Sequence, residues 1–454
     1  MSGHSFLPPR PRALPAVAAL ARTIAQGEGD LLSLLPSYAY TSPVRFIGYS
    51  RRQILIVNAP ELVRDVMVER SDLFPKSDLM VGALEPLVGD SLFVSSGETW
   101  RRQRRMIDPA FSQLRIDKAF QSMSAAVDDY ETRLDALARS GDAFSLDLAM
   151  SHLTADIICR TVFSTSLESD VARAVFEDFT TFERAVAHVE IKRLIFDKAW
   201  TDPPQREDVL SACRRIRGHI GDLLLRHLDP CGDALDDIAT AVAGARDPDT
   251  GDVFSREELI DQLGVFFLAG HETTASALTW ALFILSQDDR AAERLYSEVD
   301  AAGALTLSAV KALQYTRNVF REVLRLYPPI TFMPRVAAEP CKVGRYSLRK
   351  GAMVMIAPWA IHRHSDYWPE PDRFDPDRFS KGREQDIQQG TYLPFGLGQR
   401  VCIGAGFAGV EAALILSRLM RRFRFVVDEP GEVMPAARLT TRPREQIMCR
   451  VEAR

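Results

Sequence analysis

The run Phe395-Gly396-Leu397-Gly398-Gln399-Arg400-Val401-Cys402-Ile403-Gly404 places one cysteine on a glycine-rich loop at the mouth of an apolar helix. A cysteine at a helix start lies near unpaired backbone N–H groups and the positive end of the helix dipole. Both favour the thiolate, the form that binds metal. Gly396 and Gly398 permit tight or left-handed backbone, and Gly404 lets backbone approach the sulfur. Arg400 can pair with an anionic group beside the metal. A lone Cys-x-Gly reads as a buried structural cysteine beside a turn; five co-spaced positions favour a ligand.

A second constellation lies midway along an apolar segment that opens with a capping box, Ser255 with Glu258 three residues on. There Ala269-Gly270-His271-Glu272-Thr273-Thr274 puts small residues before an acid and an alcohol. A buried threonine can bond back to the carbonyl one turn earlier and open the helix, and a buried acid can pass protons. The plainer alternative is a hydrogen-bonded polar pair in a bent core helix. His271 reads as a packing or surface residue.

Other spacings are weaker signals. Glu322 and Arg325 share a helix face before Pro328-Pro329, as Trp100 and Arg104 do four apart. Arg101, Arg102 and Arg105 make an arginine run, either a solvated face or a dock for an acidic partner. His362 and His364 could suggest metal, but no cysteine or carboxylate cluster supports it. Gly404 to Gly409 fits a G-x-G-x-x-G dinucleotide pattern, with Asp428 closing a strand-like run. The context is poor, because too little chain follows for repeated βαβ units. Phosphate-loop and nucleophile-elbow motifs are absent, which leaves kinase and hydrolase chemistry without residues.

The cysteine run resembles the cytochrome P-450 signature Phe-x-x-Gly-x-Arg-x-Cys-x-Gly at every fixed position, and the 269–274 segment resembles that family's oxygen-activation motif. Arg321 to Pro329 resembles its Glu-x-x-Arg helix, and Arg378 matches the third member of that ion network, with Asp377 replacing the commoner Glu. The resemblance implies a mainly α fold with small β-sheets enclosing haem b, as a single domain over 1–454 whose β-rich part is mainly 40–60 and 330–360. It makes Cys402 the axial iron ligand. Trp100, Arg104, Ala269, Arg335, Phe395, Arg400 and Gly404 become cofactor-binding residues, Glu272 and Thr273 the proton relay, and Glu322, Arg325 and Arg378 a structural network. By family position the pocket draws on Phe93, Val265, Phe266, Ile330, Phe332 and Leu439, within stretches that include the loop 79–93, the region 179–194 and the turn 439–440.

The implied reaction inserts one atom of O2 into a hydrophobic small molecule such as a terpenoid, steroid, fatty acid or aromatic. Electrons would come from NAD(P)H through a separate ferredoxin and its reductase, since no flavin or iron–sulfur domain is expected in this chain. A peroxide-driven peroxygenase and a non-catalytic haem-thiolate sensor or carrier are the alternatives.

The elements that must position these residues are mostly helical. Apolar residues recur at helical spacing over 62–70, 119–139, 146–163, 207–228, 255–287, 307–327 and 402–423. Strand-like runs are short: 44–49 with 53–57, 341–346 leading to 352–356, and 423–427. Residues 243–252 read as a solvent loop and a candidate hinge. The 454 residues carry a formal charge of −5, without the basic excess of nucleic-acid binders. Six scattered cysteines suggest neither disulfides nor zinc. The apolar stretch 13–25 is too short to span a bilayer, and no secretory signal is visible. A cytoplasmic, monomeric protein without a membrane anchor is the expectation.

Overall fold

The computed structural model describes residues 6–26, 30–48, 50–186, 195–196, 206–228 and 235–454. Part of the expected pocket region, 187–194, lies outside them.

Helices form over the stretches of apolar spacing, with 62–70 divided into a short helix Pro60–Arg64 and a π turn Asp65–Glu69, and further helices lie between them: α1 (Ala16–Gln26), α2 (Asp78–Val88), α3 (Gly97–Ile107), α4 (Gln113–Ser140), α5 (Leu146–Phe163), α6 (Asp170–Val186), α7 (Glu207–Leu228), α8 (Arg256–Gln287), α9 (Asp289–Ala301), α10 (Gln314–Leu326) and α11 (Ala405–Arg422). The 32-residue α8 runs through the core, with Leu263, Phe267, Leu278, Trp280 and Phe283 fully buried. Its capping box forms as expected: the Ser255 hydroxyl accepts from Glu258 N, and Glu258 accepts from Ser255 N. The close approach of α8 to α5 rests on Gly270. A Cβ there would stand 2.4 Å from Ile158 Cδ1, so Gly270 makes room for the neighbouring helix.

Three expectations change. The expected helix 307–327 breaks at Leu313 into Leu307–Ala312 and α10, because the Glu298 carboxylate accepts from the backbone N–H of Tyr315 and Thr316 and caps a new start. The stretch 79–93, expected as a loop, is largely α2, which tolerates Pro86 inside it. The candidate hinge 243–252 is a pinned turn. Asp247 N donates to Asp252 O, and Asp247 and Asp249 pair with Arg102 and Arg105 at 3.5 and 2.7 Å.

The larger sheet joins β1 (Val44–Ile47), β2 (Ile54–Val57), β3 (Met333–Val336) and β4 (Met353–Ile356) in the order β1-β2-β4-β3. β2 and β4 are parallel, with Ile54 opposite Met353; the outer pairs are antiparallel. The expected run 341–356 divides, since Cys341–Val343 and Tyr346–Leu348 form their own hairpin. Near the C-terminus, β5 (Phe423–Val427) pairs antiparallel with β8 (Met448–Ala453), and β6 (Pro435–Ala437) pairs with β7 (Thr441–Pro443). No strand leads directly into Gly404, since 398–400 is a 3-10 turn, and β5 is antiparallel. The dinucleotide pattern therefore lacks the βαβ unit that gives it meaning.

Candidate functional site

Cys402 sits two residues before Gly404, the N-cap of α11. Its N–H donates to Phe395 O at 2.8 Å, closing the loop on itself. Gly396 and Gly398 take φ of +81° and +75°. At Gly398 a Cβ would meet Met67 O at 2.7 Å, so the loop is pressed against neighbouring backbone as well as left-handed. Cys402 keeps an exposed surface, yet the protein packed around its sulfur desolvates the thiol and raises it above its ordinary value, while the Gly404 N–H and the Arg104 guanidinium oppose the rise. Gly404 therefore acts through its N–H. A Cβ there would lie 3.9 Å from Sγ, an ordinary contact, so close approach is not what the position requires.

Three cations gather nearby, Arg335 buried and Lys76 and Arg400 partly buried. Lys76 and Arg335 are bridge partners in the backbone, and Arg400 is close enough to depress both. Burial, then mutual repulsion, holds Lys76 well below the usual lysine range and Arg335 at about 10. Burial also lowers Arg400 to about 10; its guanidinium lies 4.5 Å from the Trp100 ring centre. Arg400 Nη2 donates to Ser95 O at 2.9 Å, while Nη1 is buried without a partner. Like charges are not buried together without an anion to face.

At the middle of α8, Thr273 donates to Ala269 O at 2.7 Å, the back-bond expected of it. Glu272 is buried and heavily bonded. It accepts from Thr440 Oγ1 at 2.6 Å, from Arg442 Nε at 2.8 Å, and from Arg442 Nη2. Burial pushes its carboxyl up, but Arg442 outweighs burial and holds it below the usual range. Arg442 also donates to Asp147 at 2.6 Å and Ser151 at 3.0 Å. His271 is buried and ringed by Phe176, Phe179 and Phe267, with its Nε2 3.2 Å from Glu183 Oε1.

The sequence profile described as Cytochrome P450 matches residues 8–450. The chain belongs to the cytochrome P450 family. It is 32% identical over 403 residues to cyclooctat-9-en-7-ol 5-monooxygenase of Streptomyces melanosporofaciens, covering 87% of this chain and 84% of that one. Cyclooctatin synthase of the same organism is 30% identical over 449 residues, with 95% and 92% covered. The crystal structure of the cytochrome P450DA haem domain superimposes with a TM-score of 0.80 at 24% identity, covering 91% and 89%, which bears on the fold alone. The chain is a cytochrome P450 monooxygenase acting on hydrophobic molecules. Among the described residues no helix is long and apolar enough to cross a membrane.

Haem, which the P450 family implies, fits the residues present. A thiol at the start of α11 meets the requirement for an axial ligand, and the cation group of Lys76, Arg335 and Arg400, in which Asp72 acts on Arg400 but no acid acts on Lys76 or Arg335 among the described residues, suits a dianionic propionate rim. Arg104, expected at that rim beside Trp100, is engaged elsewhere: Nη1 donates to Val401 O at 2.8 Å, and Nε pairs with Asp108 at 2.6 Å. Arg101, Arg102 and Arg105 likewise have acidic partners within the chain.

The P450 ion network is assembled as expected. Arg325 donates twice to Glu322 at 2.7 Å, with neither side chain exposed, and Arg378 reaches Glu322 at 3.3 Å. Arg325 also donates to the carbonyls of His362, Pro371 and Arg373. His362 is no metal ligand. Its Nδ1 meets Arg325 O at 3.1 Å and its Nε2 accepts from Leu393 N at 2.7 Å, so the imidazole, with a pKa driven by burial to about 3, ties the network to the cysteine loop.

Of the expected pocket residues, Val265 and Phe266 are buried, the latter edge-on to Phe111 at 5.1 Å. Phe93, Ile330, Phe332 and Leu439 are partly exposed. The stretches holding Ile330 and Leu439 run together, since Thr441 N donates to Pro329 O at 3.0 Å. Phe179 instead packs inward, stacked on Phe267 at 4.7 Å. Sequence reasoning missed Lys76, Glu183 and Arg442. Only Arg442, a charge among the apolar and small residues of a short hairpin, carried any local signal.

Proposed function

We propose that this chain oxygenates a terpenoid-class hydrocarbon or alcohol. The observation that carries the reading is its similarity to two Streptomyces enzymes named for cyclooctatin compounds and to pentalenene oxygenase of Streptomyces avermitilis, 27% identical over 403 residues. The apolar character of Phe93, Val265, Phe266, Ile330, Phe332 and Leu439 supports it, because a hydrocarbon skeleton is held by area and shape.

In this reading the chain is one domain over 1–454. Cys402 would hold the iron, Trp100, Arg335, Arg400 and Lys76 would meet the propionates, Ala269 and Phe395 would contact the cofactor, and Glu322, Arg325 and Arg378 brace the loop. When bound, haem supplies O2 activation, one oxygen atom entering the substrate and the other leaving as water. Thr273 holds a proton at its hydroxyl beside Ala269 O, and Glu272 supplies protons to it. A separate ferredoxin and its reductase deliver electrons from NAD(P)H, and the protein works as a cytoplasmic monomer.

The test is a spectral titration of the haem-loaded protein with cyclic terpenes, then turnover under 18O2 with a ferredoxin and reductase. Expected are a substrate-induced change in the iron spin state and a product carrying one labelled atom. Binding and oxidation of fatty acids or steroids alone would overturn the terpenoid assignment.

A further inference from the structure

Glu183 on α6 meets His271 and Glu272 on α8, and one ligand-type atom from each lies within 4.8 Å of the others. The Glu183 side chain keeps 17% of its exposure, whereas its Oε1 is buried and makes no well-formed hydrogen bond, 3.2 Å from His271 Nε2. It thus touches both solvent and core. His271 Nδ1 lies 2.7 Å from Phe267 O, so Nδ1 carries the hydrogen and Nε2 is the atom free to gain or lose a proton. Consecutive residues on α8 step about 100° round the helix. His271, Glu272 and Thr273 therefore lead from the α6 side round to the face of Thr273.

We propose that Glu183 and His271 form the outer part of the proton path in this chain, carrying protons from solvent to Glu272 and so to Thr273. The inference rests on reading Glu272 and Thr273 as the relay. One proton moves and no electron does. It binds Glu183, crosses to His271 Nε2 to give the imidazolium, and passes to the Glu272 carboxylate, leaving Nε2 neutral.

The charges support this order. Burial and the Glu272 charge push Glu183 up to about 7, which suits a group that loads from solvent at neutral pH. His271 lies above its ordinary value, because its bond and attraction to Glu183, with help from Glu272, outweigh burial. Arg442, itself flanked by Asp147, keeps Glu272 ionised at rest, hence an acceptor. With Asp147 these are the charged groups that face the path from α5, α6, α8 and β7 among the described residues. Since the Arg442 guanidinium is bonded to both oxygens of Glu272 and its charge reaches Glu183, it disfavours a divalent cation there, and the three ligand-type residues are better explained as proton carriers.

The experiment compares His271→Phe, which keeps the aromatic packing, with Glu183→Gln and Thr273→Ala, using photochemical electron supply from a deazaflavin so that no redox partner is needed. Oxygen uptake and peroxide release are followed from pH 6 to 8.5. Wild-type turnover should fall as pH rises through about 7; both outer variants should lose that inflection and slow by about tenfold, with peroxide displacing water as the product of O2. Independently, 13C-labelled histidine in the diamagnetic carbon-monoxide form should show the His271 inflection moving down in Glu183→Gln. A retained pH profile in His271→Phe, or an unmoved His271 inflection, overturns the proposal. If Thr273→Ala also leaves the oxygen partition unchanged, the relay reading itself fails; if only Thr273→Ala alters it, the outer path alone fails.

Discussion

Lys76 and Arg335 are paired through their backbones in an antiparallel bridge, so two cationic side chains leave the same short ladder. Lys76 Nζ rests on Phe93, donating to its carbonyl and lying 4.0 Å from the ring centre, and no acidic partner offsets either charge among the described residues. This strain makes sense only with an anion present.

Replacing one cation by an apolar group of similar reach should therefore have opposite effects on the two forms. Arg335→Leu should weaken haem retention at least about tenfold, in the range of losing one charge-assisted contact. The haem-free protein should unfold at equal or higher denaturant concentration. Haem transfer to apomyoglobin measures the first, and urea unfolding of apoprotein the second; a loss of apoprotein stability would contradict the argument.

Glu322 has no such relief. Glu322→Ala leaves two buried guanidinium groups, Arg325 and Arg378, without their shared carboxylate, a change that costs about 3–5 kcal/mol for a broken buried pair. We expect little haem-loaded protein by absorbance after purification. Arg325→Lys should fail similarly, because an ammonium cannot make both carboxylate bonds and also reach the three carbonyls.

Gly398 combines a φ of +75° with a 2.7 Å approach to Met67 O for any added Cβ. Gly398→Ala should displace the cysteine loop and lower the fraction of protein showing the thiolate band in the reduced carbon-monoxide spectrum. Gly409→Ala, where a Cβ meets nothing within 4 Å, should leave that spectrum unchanged.

Glu411 on α11 is fully buried; Thr274 approaches it, yet neither carboxylate oxygen gains a well-formed hydrogen bond. Burial raises it from an ordinary 4.5 to about 8. The folded state then holds a proton that the unfolded state has released, so stability falls as pH rises from about 4.5 to about 8. The slope is about 1.4 kcal/mol per pH unit for one group. Glu411→Met should remove this contribution and raise the urea midpoint more at pH 8 than at pH 5.5.

The cysteine loop, the α8 motif and the Glu322–Arg325 pair were legible because their geometry is local: each needs residues a few positions apart on one turn or helix face. The partners of Glu272 were not. Arg442 and Thr440 lie 170 and 168 positions away, and nothing in a hairpin's sequence announces which helix it will meet. Arg104 shows the converse limit of local reading. Its spacing from Trp100 was read correctly, but Asp108 and the Val401 carbonyl compete for its guanidinium. The break at Leu313 was hidden because its cause, Glu298, belongs to another helix.

The parallel pairing of β2 with β4 also sets an order of events during synthesis. Arg52, just before β2, donates to the carbonyl of Gly351, 299 positions later, so one edge of the early β1–β2 hairpin waits for most of the chain to be made. Such long closure slows folding and leaves a strand edge open to wrong partners. The sheet that carries Arg335 is thus finished long after β1 and β2 are made and shortly before Cys402 emerges, so the strand cations and the cysteine loop take their places together.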